Sequence, residues 1–136
     1  KDRKMATTLK DMMAAGHAAA PSITAAEAKT LLAAGTAIAV DVRDDSEVAA
    51  SGKVTGAFCV PRGHLEAKID PASPSFVAGL DAKKTILVYC RSGGRATLAA
   101  KTFKDMGYAD VRILGGFDAW VAAGGAVERV GGAGNA

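Results

Sequence analysis

The chain has 136 residues, 49% of them apolar and only 5% aromatic, with a formal net charge of +3. That is one domain's length, enough to bury a core of Ala, Val, Leu and Ile without a disulfide or metal framework, and too apolar for a largely disordered chain. Acidic and basic residues interleave, so the concentrated basic face of a nucleic-acid binder is missing, while a mild positive balance suits a small anionic substrate.

Residues Thr7 to Ala20 are rich in Ala, Leu and Met and predict a loose helix ended by Pro21. The uncharged stretch Met12 to Ala26 around it contains His17 and Pro21 and is too short to span a bilayer. Thr24-Ala25-Ala26-Glu27 forms a capping box, in which the Thr hydroxyl accepts from the amide three residues on and Glu27 reaches back. It opens a helix over Ala25 to Ala34, with Gly35 as its left-handed cap. Ala37 to Val42 is a short apolar run that reads as a buried strand, with Asp41 near its carboxyl end. Ser46 to Ala50 reads as a helical turn, Ala57 to Val60 as a second strand stopped by Pro61, and Pro71 to Ser75 as a loop. Thr85 to Tyr89 is the strongest strand signal, β-branched and apolar. It runs directly into Cys90-Arg91-Ser92-Gly93-Gly94-Arg95, where a helix begins that carries Leu98, Ala99, Thr102, Phe103 and Met106 on one stripe and stops at Gly107. Val111 to Leu114 is another strand and Phe117 to Ala123 another helix, and the Gly-rich segment from Gly124 is expected to fray. Alternating strands and helices predict an α/β domain with a mainly parallel sheet of about five strands.

Cys90 holds the chemical interest. It ends a buried strand, sits on a Gly-rich turn, and precedes a helix, the position where open α/β sheets bind ligands. The free amides of that turn can cradle an anion, and Arg91 and Arg95 add positive charge. All three effects favour a thiolate, hence a nucleophile. A cysteine that merely filled the core would need neither the flanking arginines nor the glycines. The inventory of Cys59, Cys90, His17 and His64 has no metal-ligand spacing, so neither a structural zinc nor another metal is expected.

Tyr89-Cys90-Arg91-Ser92-Gly93-Gly94-Arg95 resembles the active-site loop of the rhodanese family. The resemblance extends to Asp41-Val42-Arg43 with Glu47, to Gly56-Ala57 before a strand ending at Pro61, and to Met106-Gly107-Tyr108 followed by Val111 to Trp120. These signatures run in order from about Ser22 to Glu128. Pro61 to Glu66 is similar to a subset of single-domain members with a longer loop there.

The resemblance implies a rhodanese-like fold over residues 21–130, preceded by a helical extension, 1–20, and followed by a flexible tail, 131–136. It implies a sulfurtransferase: Cys90 takes a sulfane sulfur from a small anionic donor such as thiosulfate, carries it as a persulfide, and passes it to cyanide, a thiol or a protein acceptor, with no cofactor, nucleic acid or membrane involved. In that scheme the backbone of Arg91, Ser92, Gly93, Gly94 and Arg95 holds the persulfide, and Arg95 orients the loop or the donor. A relay or docking module serving a protein partner is the alternative. Tyrosine-phosphatase-like enzymes resemble Cys-x5-Arg, whereas this loop is Cys-x4-Arg, which favours sulfur over a tetrahedral phosphate.

Around the loop, Asp41 and Arg43 read as a buried ion pair that influences the site indirectly, and Glu47 as a loop anchor. Arg62 is a candidate contact for the anionic donor, the alternative being a solvated loop arginine. His64 reads as a surface histidine rather than a proton relay, and Trp120 as a core anchor. Cys59 reads as a buried core residue, with a resolving partner for Cys90 as the rival. Lys53 stands where many family members carry a His that has a structural role. A reduced nucleophilic cysteine suits the cytoplasm, and the start at Lys1 in place of Met is consistent with a removed leader or tag.

Overall fold

The computed structural model describes residues 6–130. Strand β4 (Thr85–Cys90) is buried along almost its whole length, as its unbroken apolar run requires of a central parallel strand. It pairs in parallel with β1 (Ala37–Asp41) on one side and β5 (Asp110–Gly116) on the other, and β1 pairs in parallel with the short edge strand β3 (Phe58–Cys59). The order β3-β1-β4-β5 makes a main sheet of four strands. About five strands are expected from the sequence; four pair in the main sheet, and between Pro21 and the capping box at Thr24 the chain adds one parallel bridge, Ser22 to Ile113.

Helices cover both faces. On one lie α1 (Leu9–Ala19), α4 (Leu65–Ile69) and α5 (Gly94–Asp105), over a core of Val40, Val88, Ile86, Leu65 and Phe103. On the other lie α2 (Ala25–Ala33) and α6 (Phe117–Ala122), over Leu87, Tyr89, Ala28 and Trp120. Thr24 and Glu27 close the capping box of α2: each backbone N–H donates to the other's side chain, at 3.0 and 3.1 Å. Helix α3 (Asp45–Ser51) follows β1 directly.

The segment after Gly124 does not fray as expected. Within it, β6 (Val127–Glu128) pairs antiparallel with β2 (Lys53–Val54), Glu128 accepts the Gly56 N–H at 2.6 Å, and the Trp120 indole donates to the Ala126 carbonyl at 2.9 Å. The tail 131–136 lies outside the described residues.

Register places Asp41, Cys59, Cys90 and Gly116 at the same carboxyl rim of the sheet. A bulge between Val88 and Tyr89 shifts β5 by one residue just before that rim, bringing Gly116 opposite Cys90.

Candidate active site

The Cys90 loop is shaped by what its glycines lack. Gly93 adopts φ +117°, a region where a side chain is strained. Gly116, across the rim, is extended, but a Cβ there would run into the Arg91 carbonyl and come within 3.2 Å of Ser92 Cα. The loop therefore rests against bare backbone of β5.

That seating turns the loop's amides toward the sulfur. The Gly93 N–H donates to Cys90 Sγ at 3.0 Å and the Ala96 N–H at 3.4 Å. Among the described residues, the N–H groups of Ser92, Gly94 and Arg95 meet no main-chain acceptor and stay available at the start of α5. Cys90 itself is only 1% exposed, so the sulfur sits at the bottom of the cradle. Thr97 Oγ1 donates to the Gly93 carbonyl at 2.9 Å and fixes the turn from behind.

The arginines divide the labour. Arg95 gives its two terminal nitrogens to the two oxygens of Glu47, at 2.6 and 3.0 Å, tying α5 to α3. Glu47 Oε1 also accepts the Asp44 N–H at 3.0 Å. The Arg95 hydrogen bond holds the Glu47 carboxyl down at about 2, and Glu47 in turn raises the Arg95 guanidinium above its ordinary value.

Arg43 and Asp41 are 2% and 0% exposed. Arg43 Nε and Nη2 meet Asp41 at 3.0 and 2.7 Å, Nη1 donates to Ser51 Oγ at 2.8 Å, and Nη2 also donates to the Gly52 carbonyl at 2.7 Å. The guanidinium lies 4.3 Å from the Phe117 ring centroid and 5.9 Å from that of Tyr89, the residue before the cysteine. Burial pulls the Arg43 guanidinium down, but the Asp41 hydrogen bond and charge overcome it and leave it raised. Burial pushes the Tyr89 phenol up, so it stays a neutral acceptor for the Val54 N–H at 2.9 Å.

Arg91 is different. Its Nε reaches Asp118 at 3.5 Å, with both side chains about 70% exposed. The two line the mouth of a cavity of about 240 Å³ with Arg43, Glu47, Ala50 and Ser51. Asp118 falls inside a segment that already resembled a family signature, yet nothing local marked it; only the turn from β5 into α6 brings it to Arg91.

Arg62 does not join the group. It meets Glu66 at 3.2 Å and Thr102 at 3.5 Å, and Thr102 lies about 10 Å along α5 from Arg95 by helix rise. Cys59 is half-buried rather than in the core, because β3 is the sheet edge; it lines a separate cavity with Asp45, Pro61, His64, Ala67, Lys68 and Ser75. Its burial still pushes the thiol up, away from the thiolate. Lys53 donates to the Ala57 carbonyl at 2.6 Å. His17 and His64 are exposed and Trp120 is buried.

The site is thus a cysteine sulfur held by main-chain amides at the carboxyl rim of a parallel α/β sheet. The chain belongs to the rhodanese family: the family's sequence model, described as a rhodanese-like domain, matches residues 24–123. The human (Homo sapiens) thiosulfate:glutathione sulfurtransferase is 31% identical over 111 residues, covering 76% of this chain and 96% of that protein. Among solved structures, a Rhodopseudomonas palustris protein of unknown function, described as a possible tyrosine phosphatase, matches with TM-score 0.82 and 37% identity over 94% of this chain and 99% of that one. The human single-domain sulfurtransferase TSTD1 matches with TM-score 0.68 and 27% identity over 76% of this chain and 96% of that one.

Proposed function

We propose that this domain is a sulfurtransferase that moves a sulfane sulfur from a small anionic donor such as thiosulfate to a thiol, through a persulfide on Cys90. The carrying observation is the pair of N–H donors on Cys90 Sγ, backed by the unpaired amides of the same loop. The thiolate attacks the outer sulfur of thiosulfate. The new S–S bond forms as the old one breaks, and sulfite leaves with the bonding electron pair. The negative outer sulfur of the persulfide then sits nearest the free amides, which stabilise it without having to reorganise. An acceptor thiolate attacks that outer sulfur, leaves as the acceptor persulfide, and returns Cys90 as a thiolate. Both steps are covalent catalysis of the ping-pong kind. Likeness to a thiosulfate:glutathione sulfurtransferase supports a small thiol as acceptor.

The test is the intact-protein mass after incubation with thiosulfate and removal of the excess. A gain of about 32 Da, absent in Cys90→Ser and reversed by cyanide, is expected of a persulfide intermediate. No gain on a free, alkylatable Cys90 would reject thiosulfate and put relay from a protein donor in its place. Likeness to a possible tyrosine phosphatase raises a phosphoryl-transfer reading, but Arg95 is committed to Glu47 rather than free for phosphate, and the loop has the shorter Cys-x4-Arg form. Turnover of p-nitrophenyl phosphate that requires Cys90 would reverse this preference.

A further inference from the structure

We propose that Asp118 sets the selectivity of the Cys90 cleft for anions, by holding Arg91 in a latch that an incoming anionic donor must open. The proposal rests on the sulfurtransferase reading only in taking the natural electrophile to be an anion.

Each of the three arginines around the cavity lined by Arg91 and Asp118 has a carboxylate partner. Arg43 is balanced by Asp41, Arg95 by Glu47 and Arg91 by Asp118. The first two pairs are held by several short contacts, from 2.6 to 3.2 Å, and cannot let go without unseating α3 or the catalytic loop. The third is a single contact at 3.5 Å between side chains 70% and 71% exposed, a kind of pair that contributes little to stability and opens readily. Among the described residues, no other side-chain or main-chain group accepts from Arg91. Arg91 is thus the one guanidinium at the mouth free to turn to a ligand. A doubly charged oxyanion would receive from it the paired, charge-assisted N–H contacts that Asp118 does not take up.

Position makes the competition direct. The Arg91 carbonyl packs against Gly116, so the backbone of Arg91 is pinned and only its side chain can swing. Asp118 follows Gly116 by two residues, and Gly116 is the register partner of Cys90. Asp118 therefore starts from backbone beside the loop that bears Cys90, with its exposed carboxylate within reach of Arg91. At rest it occupies the Arg91 guanidinium that an arriving anion would need, whereas a neutral electrophile needs no such partner.

The test compares alkylation of Cys90 by iodoacetate, an anion, with that by iodoacetamide, its neutral analogue, in the wild type, Asp118→Asn, Arg91→Gln and the double variant, with Cys90 read by peptide mass. Exposed substitutions of this kind leave the fold intact. The iodoacetate-to-iodoacetamide rate ratio is expected to rise about three- to fivefold in Asp118→Asn, the scale of one exposed ion pair. It should fall in Arg91→Gln, and Asp118→Asn should add little in the Arg91→Gln background. An unchanged ratio in Asp118→Asn would overturn the latch, and so would an equal rise in both backgrounds, which would mean the carboxylate acts through space alone. In a thiosulfate assay the same release should lower KM for thiosulfate. The rate ratio tests the latch and the mass gain tests the sulfurtransferase reading, so either can fail without the other.

Discussion

Arg95 sets both terminal nitrogens of its guanidinium on the Glu47 carboxylate, at 2.6 and 3.0 Å, across the gap between α5 and α3. Arg95 lies in the first turn of the helix that follows the Cys90 loop and Glu47 in the first turn of the helix that follows β1, so this pair ties the two helix starts together. A lysine would keep the charge at Arg95 but could not meet two oxygens at once. We predict that Arg95→Lys lowers sulfur transfer by between about ten- and a hundredfold, the cost of misplacing a reacting group by a fraction of an ångström to an ångström. Steady-state rates with thiosulfate check this, and a rate within twofold of wild type would remove Arg95 from any role in shaping the loop.

The same pair predicts a pH signature. Glu47 is held at about 2, below its ordinary value of 4.5, by the Arg95 hydrogen bond. The native state therefore holds fewer protons than the unfolded chain between those values, and the pair's stabilisation is complete above about pH 4.5. It fades as the pH falls and is gone below about 2. Urea denaturation of wild type and Glu47→Gln at pH 7, 3.5 and 2 should show a stability gap that closes toward the lowest pH. A gap that does not vary with pH would mean that the carboxylate's charge contributes nothing.

Gly116 offers a steric test. Its φ suits any residue, so Gly116→Ala brings no backbone strain, only a methyl group driven into the Arg91 carbonyl. We expect the loop to move, stability to fall by about 1–3 kcal/mol, as overpacking does, and sulfur transfer to fall at least tenfold. Thermal unfolding and turnover measured together check this, and full activity at unchanged Tm would show that the loop does not depend on β5.

The Asp41–Arg43 pair is fully enclosed, so removing one partner strands the other. Arg43→Met is predicted to cost about 3–5 kcal/mol, whereas Asp41→Asn combined with Arg43→Met should cost less than the two single changes added together. Denaturant titration of the three variants decides it. Additive losses would mean that the two residues act on different parts of the fold.

Cys59→Ser is expected to leave turnover within a few-fold, because Cys59 lies at the sheet edge with its thiol pushed away from the thiolate by burial. A large loss in a folded variant would give Cys59 a redox or catalytic part.

What could be read from the sequence was local. The Thr24–Glu27 cap, the apolar run of β4 and the position of Cys90 between a strand and a helix are patterns a few residues long, and each corresponds to a contact or element of the structure. What escaped depends on distant partners. Nothing beside Glu47 says that its acceptor pair faces Arg95, nothing beside Arg62 says that α4 and α5 will claim its guanidinium, and nothing in the Gly-rich stretch after Gly124 says that β2 will pair with it. Cys59 is a related case: apolar neighbours mark a strand, but not whether it ends up central or at the edge.

Helix α1 lies outside the residues that match the family model, yet it bears on the cleft. Gly16 is its one buried residue, so close to Thr97 that a Cβ would lie 2.7 Å from the Thr methyl. Thr97 is the residue whose hydroxyl holds the Gly93 carbonyl, and the Gly93 N–H holds the sulfur. The extension therefore acts as a splint, clamped onto α5 where a missing side chain lets the helices meet. A chain trimmed to the family boundary would retain every reacting residue and grip the sulfur less stiffly, which faster hydrogen exchange at the Gly93 amide would register.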